Sequence, residues 1–416
     1  MNIIHFSTYD SGGAGEAAYR FHKVLQENGH RSLFFVKRNR LDDDTIIEID
    51  NKFLSFFNSV LNKSEDMLNF YDHNYSFFER GREVVNDYKD IVNKIDFKPD
   101  AIVLNWITYF VDLKVIKDLQ DHYEIPVYWH LMDMGPFTGG CHYAWDCEGY
   151  KNSCEKCPAI LTNSRKKLAE KILKDKMDII SQMDISLMTG SAWTINEAGT
   201  SALFKNSKIY NLPVGVDKNV FRPLNKEQIR NKYNIPLDKK VIYFAASNIE
   251  EKRKGYFYLI EALKILITKK EFSNTVVLTA GKSEQADDLF KDLNVENYHI
   301  GFLKGNHALA EGYNIADVYI SPSIQDSGPM MVNESLMCGT PVIAFEMGVA
   351  VGLIENGVTG YKAKLKDSKE LSECILKLIT LNDEDHQKMS ENCRALAVKT
   401  NSYENIIRIF ENIIEQ

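Results

Sequence analysis

The chain has 416 residues, 44% hydrophobic and 26% charged, with a formal net charge of −8 and a pI near 5.8. That length fits two or three domains and the composition that of an ordinary globular protein, while the acidic balance argues against a nucleic-acid partner, which wants a basic face to displace counterions from phosphate. No apolar run approaches the roughly 20 residues of a membrane span, and residues 1–4 enter a strand with no signal peptide ahead of it, so a cytoplasmic protein is expected.

Residues 2–7 read as a strand, followed by the turn Tyr9-Asp10-Ser11-Gly12-Gly13-Ala14-Gly15. Ala17, Ala18, Phe21, Val24 and Leu25 then recur at helical spacing, and Asn28-Gly29 closes the helix. Strand, glycine turn and helix open a Rossmann-like unit. The turn is not a strict GxGxxG, so it reads equally as a ligand-contacting loop or an ordinary tight turn. After a second strand at 33–36, residues 51–90 break the alternation with Phe53, Phe56, Phe57, Phe70, Tyr71, Tyr75, Phe77 and Phe78 interleaved with charge. Amphipathic helices packed over the first domain are favoured there over a surface that meets a lipid or a partner, because the stretch is not rich in Lys and Arg.

Strands return at 101–105 and 127–130, and His130 falls at the C-terminal end of its strand, where open α/β sheets form their ligand crevice. It leads into Met132-Asp133-Met134-Gly135-Pro136-Phe137-Thr138-Gly139-Gly140 and a cluster of Cys141, Cys147, Cys154 and Cys157. The spacing C-x5-C-x6-C-x2-C ends in a tight knuckle, and four thiolates complete a closed tetrahedral site that would fold the loop and perform no catalysis. Structural zinc is expected, with an iron–sulfur cluster the alternative that takes the same ligands. The remaining Cys338, Cys374 and Cys393 sit in helical patterns as small buried residues.

Strands at 185–189 and 209–212 finish the first half, and the turn-rich stretch from Pro213 to Pro223 marks a linker. The reading is a first domain over 1–213, carrying the 51–90 insertion and the 141–157 knuckle, a second over 214–400, and a C-terminal helix at 401–416 with an apolar stripe of Ile406, Ile407, Phe410 and Ile413. In the second half, strands at 241–245, 275–279 and 298–300 alternate with a helix at 256–267. Two successive βα sheets imply an α/β protein of two doubly wound domains facing across a cleft. After the strand at 241–245 comes Lys252-Arg253-Lys254-Gly255. Cations in a strand-end loop can neutralise a diphosphate leaving group, although such a run alone is usually a solvated loop.

Residues 321–345, SPSIQDSGPMMVNESLMCGTPVIAF, read as strand, loop, short helix, strand. Asp326 and Glu334 stand eight positions apart with Gly328 between them. Met330 and Met331 can offer free N–H groups of the helix N-terminus to a diphosphate, Pro329 has none to offer, and the two carboxylates can accept bonds from sugar hydroxyls.

Together these residues resemble the retaining nucleotide-sugar glycosyltransferases of the GT-B fold, glycosyltransferase family 4. The 321–345 stretch is similar to that family's E-x7-E motif. Gly12-Gly13, Pro213 to Asp217 and Gly357 to Gly360 sit at its weaker signatures, and HLMDMGPFTGGCHY is similar to a branch associated with bacterial exopolysaccharide and lipopolysaccharide assembly. The resemblance implies sugar transfer from a nucleotide diphosphate sugar to a glycan or lipid-linked acceptor, with retained configuration and no catalytic metal, in the cytoplasm or at the inner face of a membrane. It implies that Glu334 binds ribose hydroxyls and Asp326 the donor sugar. Gly328, Met330 and Met331 would meet the diphosphate, His130 would lie near the reacting sugar, Gly12 and Gly13 would face the cleft, and Lys254 would clamp the diphosphate. This chain departs from the pattern in having Asp326 for the first Glu, and in having no arginine near Asn248, for which Arg253 is the substitute. A non-catalytic GT-B scaffold, or a GT-B epimerase or phosphorylase, is the alternative.

Overall fold

The computed structural model describes residues 1–78, 82–283, 290, 293–328 and 330–416; Pro329 of the expected donor loop and residues 79–81 of the aromatic insertion lie outside these. The described chain forms two units, one of Met1–Gly190, Thr194–Gly215 and Ile407–Gln416, the other of Ser191–Trp193 and Val216–Ile406.

The first unit is built on β1 (Asn2–Tyr9), β2 (Arg31–Arg38), β3 (Ile46–Glu48), β4 (Ala101–Leu104), β5 (Val127–His130), β6 (Ile185–Thr189) and β7 (Ile209–Asn211). They form one sheet in the order β3-β2-β1-β4-β5-β6-β7, and each neighbouring pair is parallel. β4 and β5 are buried along their whole length, which is why they read as continuous apolar runs and not as alternating ones. The C-terminal helix, Tyr403–Ile414, brings Phe410 edge-on to Phe21 with ring centroids 4.9 Å apart. Full burial of such a side chain stabilises by about 2 kcal/mol, and the ring pair adds up to roughly 1 kcal/mol more. His30 Nε2 bonds Glu411 at 3.0 Å at the same seam.

The aromatic insertion divides into two parts. Phe77 is buried and Tyr71 stacks on it at 4.8 Å. The helix Lys52–Met67, capped by Asn51, behaves differently: its buried residues are Asn58 and Glu65, and Phe53, Phe56 and Phe57 are exposed. The expectation that these aromatics pack over the domain is corrected for this helix, because two polar inner residues have partners beneath it and the phenylalanines fall on the opposite face.

The second unit repeats the winding with β8 (Lys240–Asn248), β9 (Thr275–Lys282), β10 (Asn297–His299), β11 (Val318–Ser321), β12 (Val342–Phe345) and β13 (Gly360–Ala363). Their order is β10-β9-β8-β11-β12-β13, again parallel throughout. The expected α/β class with two doubly wound sheets is what the chain forms. Among the described residues no helix is long and apolar enough to cross a membrane.

Candidate functional site

In the second sheet β8 and β11 are neighbours, with β9 on one side and β12 on the other. The chain winds away from this central pair in opposite directions, and the crevice outside their carboxyl ends is where such sheets bind ligands. β8 runs into the 3-10 turn Lys252–Lys254, and β11 into the loop that holds Asp326. Arg253 Nη1 donates to Asp326 Oδ2 at 3.0 Å and Lys254 Nζ donates to the same oxygen at 2.5 Å. Gly328 N donates to Oδ1 at 3.2 Å, and Glu251 takes the other edge of the Arg253 guanidinium. Burial alone would raise the Asp326 pKa; the charges of Lys254 and Arg253 outweigh it and hold the carboxyl below its ordinary value.

The two loops meet because of one glycine. Gly255 has φ +74°, and a Cβ there would lie 1.7 Å from the carbonyl oxygen of Pro322. Only glycine lets the turn after β8 lie against the exit of β11, and that approach sets Lys254 beside Asp326. Ile324 N reinforces it by donating to Arg253 O at 2.8 Å. The helix Met330–Met337 begins just past this cluster, with Met330 and Met331 at its N-terminus. Glu334 lies one turn further in, 1% exposed, and accepts a bond from Tyr313 Oη at 2.8 Å. Burial, then the Glu334 charge, push the Tyr313 hydroxyl pKa well above its ordinary value, so Tyr313 remains a donor. The structure therefore brings together Arg253, Lys254, Asp326 and Gly328, and places Glu334 against the buried tyrosines behind them.

In the first unit β1 and β4 are the central pair, and a cavity of about 660 Å³, counting its open mouth, lies beyond the ends of β4 and β5. Trp106, Tyr109 and Trp129 form apolar walls; Asp133 and His142 supply polar groups. His142 Nδ1 meets the Asp133 carboxylate, and its Nε2 lies 3.2 Å from Thr108 Oγ1. Thr8 N donates to Trp106 O at 2.6 Å, which ties β1 to the cavity wall. Neither Asp133 nor His142 was singled out from sequence, although both lie in the HLMDMGPFTGGCHY segment, three and twelve positions after His130. His130 itself does not line the cavity. It is 3% exposed, lies 6.1 Å edge-on from Phe21, and burial lowers its pKa to about 4, against a smaller opposing effect of a bond to the Leu212 backbone. Gly12 takes φ +79° at the start of the helix Gly12–Glu27, and there is open space around Gly12 and Gly13 where a Cβ would point.

Cys141, Cys147, Cys154 and Cys157 line one small cavity with Tyr75 and Tyr150. All are free. Among the described residues no three His, Cys, Asp or Glu side chains are placed to hold one metal ion, so the geometry lends no support to the expected four-thiolate zinc or iron–sulfur site. Burial, then the neighbouring thiols, raise the pKa of Cys141 and Cys157, and burial raises Cys154 to about 11. Burial thus favours the neutral thiol at Cys141, Cys154 and Cys157.

Residues 225–396 match the family model of glycosyl transferases group 1. That segment lies inside the second unit and holds Arg253, Lys254, Asp326 and Glu334. The chain is 23% identical over 243 residues to the N-acetyl-alpha-D-glucosaminyl L-malate synthase of Bacillus anthracis, covering 58% of this chain and 60% of that protein. It is 24% identical over 192 residues to the UDP-Gal:alpha-D-GlcNAc-diphosphoundecaprenol alpha-1,3-galactosyltransferase of Escherichia coli, covering 45% and 49%. The matches thus span about half the length of these curated relatives. The fold is similar over the whole of both chains to the Anabaena protein Alr3699/HepE in complex with UDP-glucose, with a TM-score of 0.65 at 14% identity. With its two parallel-sheet units, the chain has the GT-B glycosyltransferase fold.

Proposed function

We propose that the chain is a retaining glycosyltransferase that moves a sugar from a nucleotide diphosphate sugar to a hydroxyl of a glycan or lipid-linked acceptor in surface polysaccharide assembly. The observation that carries this reading is the Arg253–Lys254–Asp326 cluster at the switch point of the unit whose residues match the group 1 family. A leaving nucleoside diphosphate gains negative charge as the glycosidic bond breaks. Cations already oriented in a partly buried loop stabilise that charge without reorganising at the moment of reaction. Asp326 positions both cations through Oδ2, and its Oδ1 keeps acceptor capacity for a donor-sugar hydroxyl. The free N–H groups of Met330 and Met331 add the positive end of a helix to the same anion site, and Glu334 accepts the ribose hydroxyls.

The likeness to the UDP-Gal-dependent relative and to a neighbour solved with UDP-glucose supports the donor class. The acceptor is assigned to the aromatic cavity of the first unit, where indole faces stack on sugar rings and the Asp133–His142 pair bonds hydroxyls. Hydrolysis and transfer measured over a panel of nucleotide sugars, with wild type and Glu334→Ala, tests the reading. An enzyme turns over at least one donor and loses that turnover in the variant. A chain that turns over no donor and binds no nucleoside diphosphate is a scaffold.

A further inference from the structure

The helix Lys52–Met67 is amphipathic in the inverted sense. Its buried residues are polar: Asn58 Nδ2 donates to Arg82 O at 2.6 Å, and Glu65 pairs with Arg82 at 2.5 Å and Arg165 at 2.8 Å. Its outer face carries Phe53 (77% exposed), Phe56 (71%), Phe57 (51%) and Val60 (50%), and its end adds Met67 and Leu68. Positions 53, 56, 57 and 60 follow helical spacing, so these side chains form one stripe. A polar inner face and an aromatic outer face are the reverse of what burial within the unit would select.

The charge around the stripe points to what covers it. Leu161, itself exposed, donates its N–H to Phe70 O at 3.0 Å, and Arg165 reaches Glu65, so residues 161–167 border the end of the helix. The exposed charges of these two segments are Lys52, Lys63, Lys166 and Lys167 against Asp66 alone. In a chain of net charge −8, the rim of this apolar face is basic. We propose that the face docks on an anionic lipid bilayer, with the phenylalanines at the headgroup and acyl boundary and the lysines on the headgroup phosphates. A second copy of this chain fits less well, since a two-fold interface would set the same lysines against each other. The inference goes beyond the glycosyltransferase reading and stands without it.

Co-sedimentation with vesicles tests it, using phosphatidylcholine with and without phosphatidylglycerol at low and high salt. Wild type sediments with the phosphatidylglycerol vesicles, and less of it does so at high salt or with phosphatidylcholine alone. The double variant Phe53→Ser/Phe56→Ser binds roughly tenfold more weakly for each ring removed, with an unchanged melting temperature because both rings face solvent. Lys166→Glu/Lys167→Glu loses the preference for phosphatidylglycerol. Absence of wild-type binding, or equal binding by Phe53→Ser/Phe56→Ser, overturns the proposal. So does a dimer seen by light scattering that the same variant abolishes while vesicles remain unbound.

Discussion

Gly255→Ala probes the link between backbone geometry and the anion site. The substitution adds one methyl group to a residue at φ +74°, where that carbon would stand 1.7 Å from Pro322 O and 2.7 Å from Pro322 C. Non-bonded heavy atoms in contact keep roughly 3.5 Å, so the turn after β8 and the loop after β11 must part by on the order of 1 to 2 Å. The obstacle is backbone and no rotamer change relieves it. The left-handed conformation itself costs a non-glycine residue about 1 to 3 kcal/mol. A displacement of that size breaks the 2.5 Å bond from Lys254 to Asp326 and the 2.8 Å bond from Ile324 N to Arg253 O. We therefore expect Gly255→Ala to lower the melting temperature and to weaken nucleoside diphosphate binding, with turnover falling about 10²-fold, as misplacement by an ångström does elsewhere. Titration calorimetry and a thermal melt on the same preparation provide the readout. Binding within twofold of wild type at an unchanged melting temperature would refute the argument that Gly255 sets the cluster.

Asp317 accepts bonds from Lys226 at 3.0 Å, Arg230 at 2.9 Å and Val241 N at 2.7 Å; Asp317→Asn leaves Arg230 buried without its counter-charge and should cost about 3 kcal/mol in a urea titration, with nucleotide binding intact. Burial opposes ionisation of Asp317, but Lys226 and Arg230 hold its pKa below the ordinary value. Its contribution is therefore present above the unfolded pKa of about 4 and lost as pH falls through the folded value; melting curves from pH 6 to pH 3 should show that acid loss in wild type and less of it in Asp317→Asn. Since His130 is depressed to about 4 by burial, its ring resonances should not titrate between pH 5 and 8. The unfolded chain takes up that proton first, so His130 makes folding less favourable as pH falls from 6.5 toward 4. Trp106→Ala should weaken acceptor-dependent transfer at least tenfold while donor hydrolysis stays within twofold, because only the acceptor is assigned to that cavity.

The doubly wound architecture was legible because buried parallel strands announce themselves as apolar runs between helical patterns, as β4, β5 and β11 do. Two strands were not: β3 ends in the exposed Glu48, and β13 fully buries only Gly360 and Ala363, so neither shows as an apolar run. The helix Asp383–Asn401 was also missed. Its buried residues are Met389, Cys393, Ala397 and Asn401, about one per turn among charges, which leaves no visible stripe. At the site, sequence order marked Lys254, Arg253 and Asp326 as candidates, but that one carboxylate oxygen gathers both cations depends on two loops 72 and 73 positions apart meeting at Gly255. The spacing of Cys141, Cys147, Cys154 and Cys157 suggested a metal, whereas the described side chains are not placed to hold one, and apolar and aromatic groups line the small cavity the four share. The Asp133–His142 pair needed the structure, since a turn of the chain at the Cys141 loop folds His142 back onto Asp133.

The central claim is that cations at the switch point of the second unit hold the diphosphate of a sugar donor. Its most direct test is the rate of donor hydrolysis by Lys254→Ala, measured beside nucleoside diphosphate affinity and melting temperature. Arg253 continues to hold Asp326 in that variant, so the fold should survive. The account predicts a melting temperature close to wild type, weakened diphosphate binding, and turnover reduced about 10²- to 10³-fold, the usual cost of removing one preorganised electrostatic partner. Full turnover and wild-type affinity in a folded Lys254→Ala protein would contradict it.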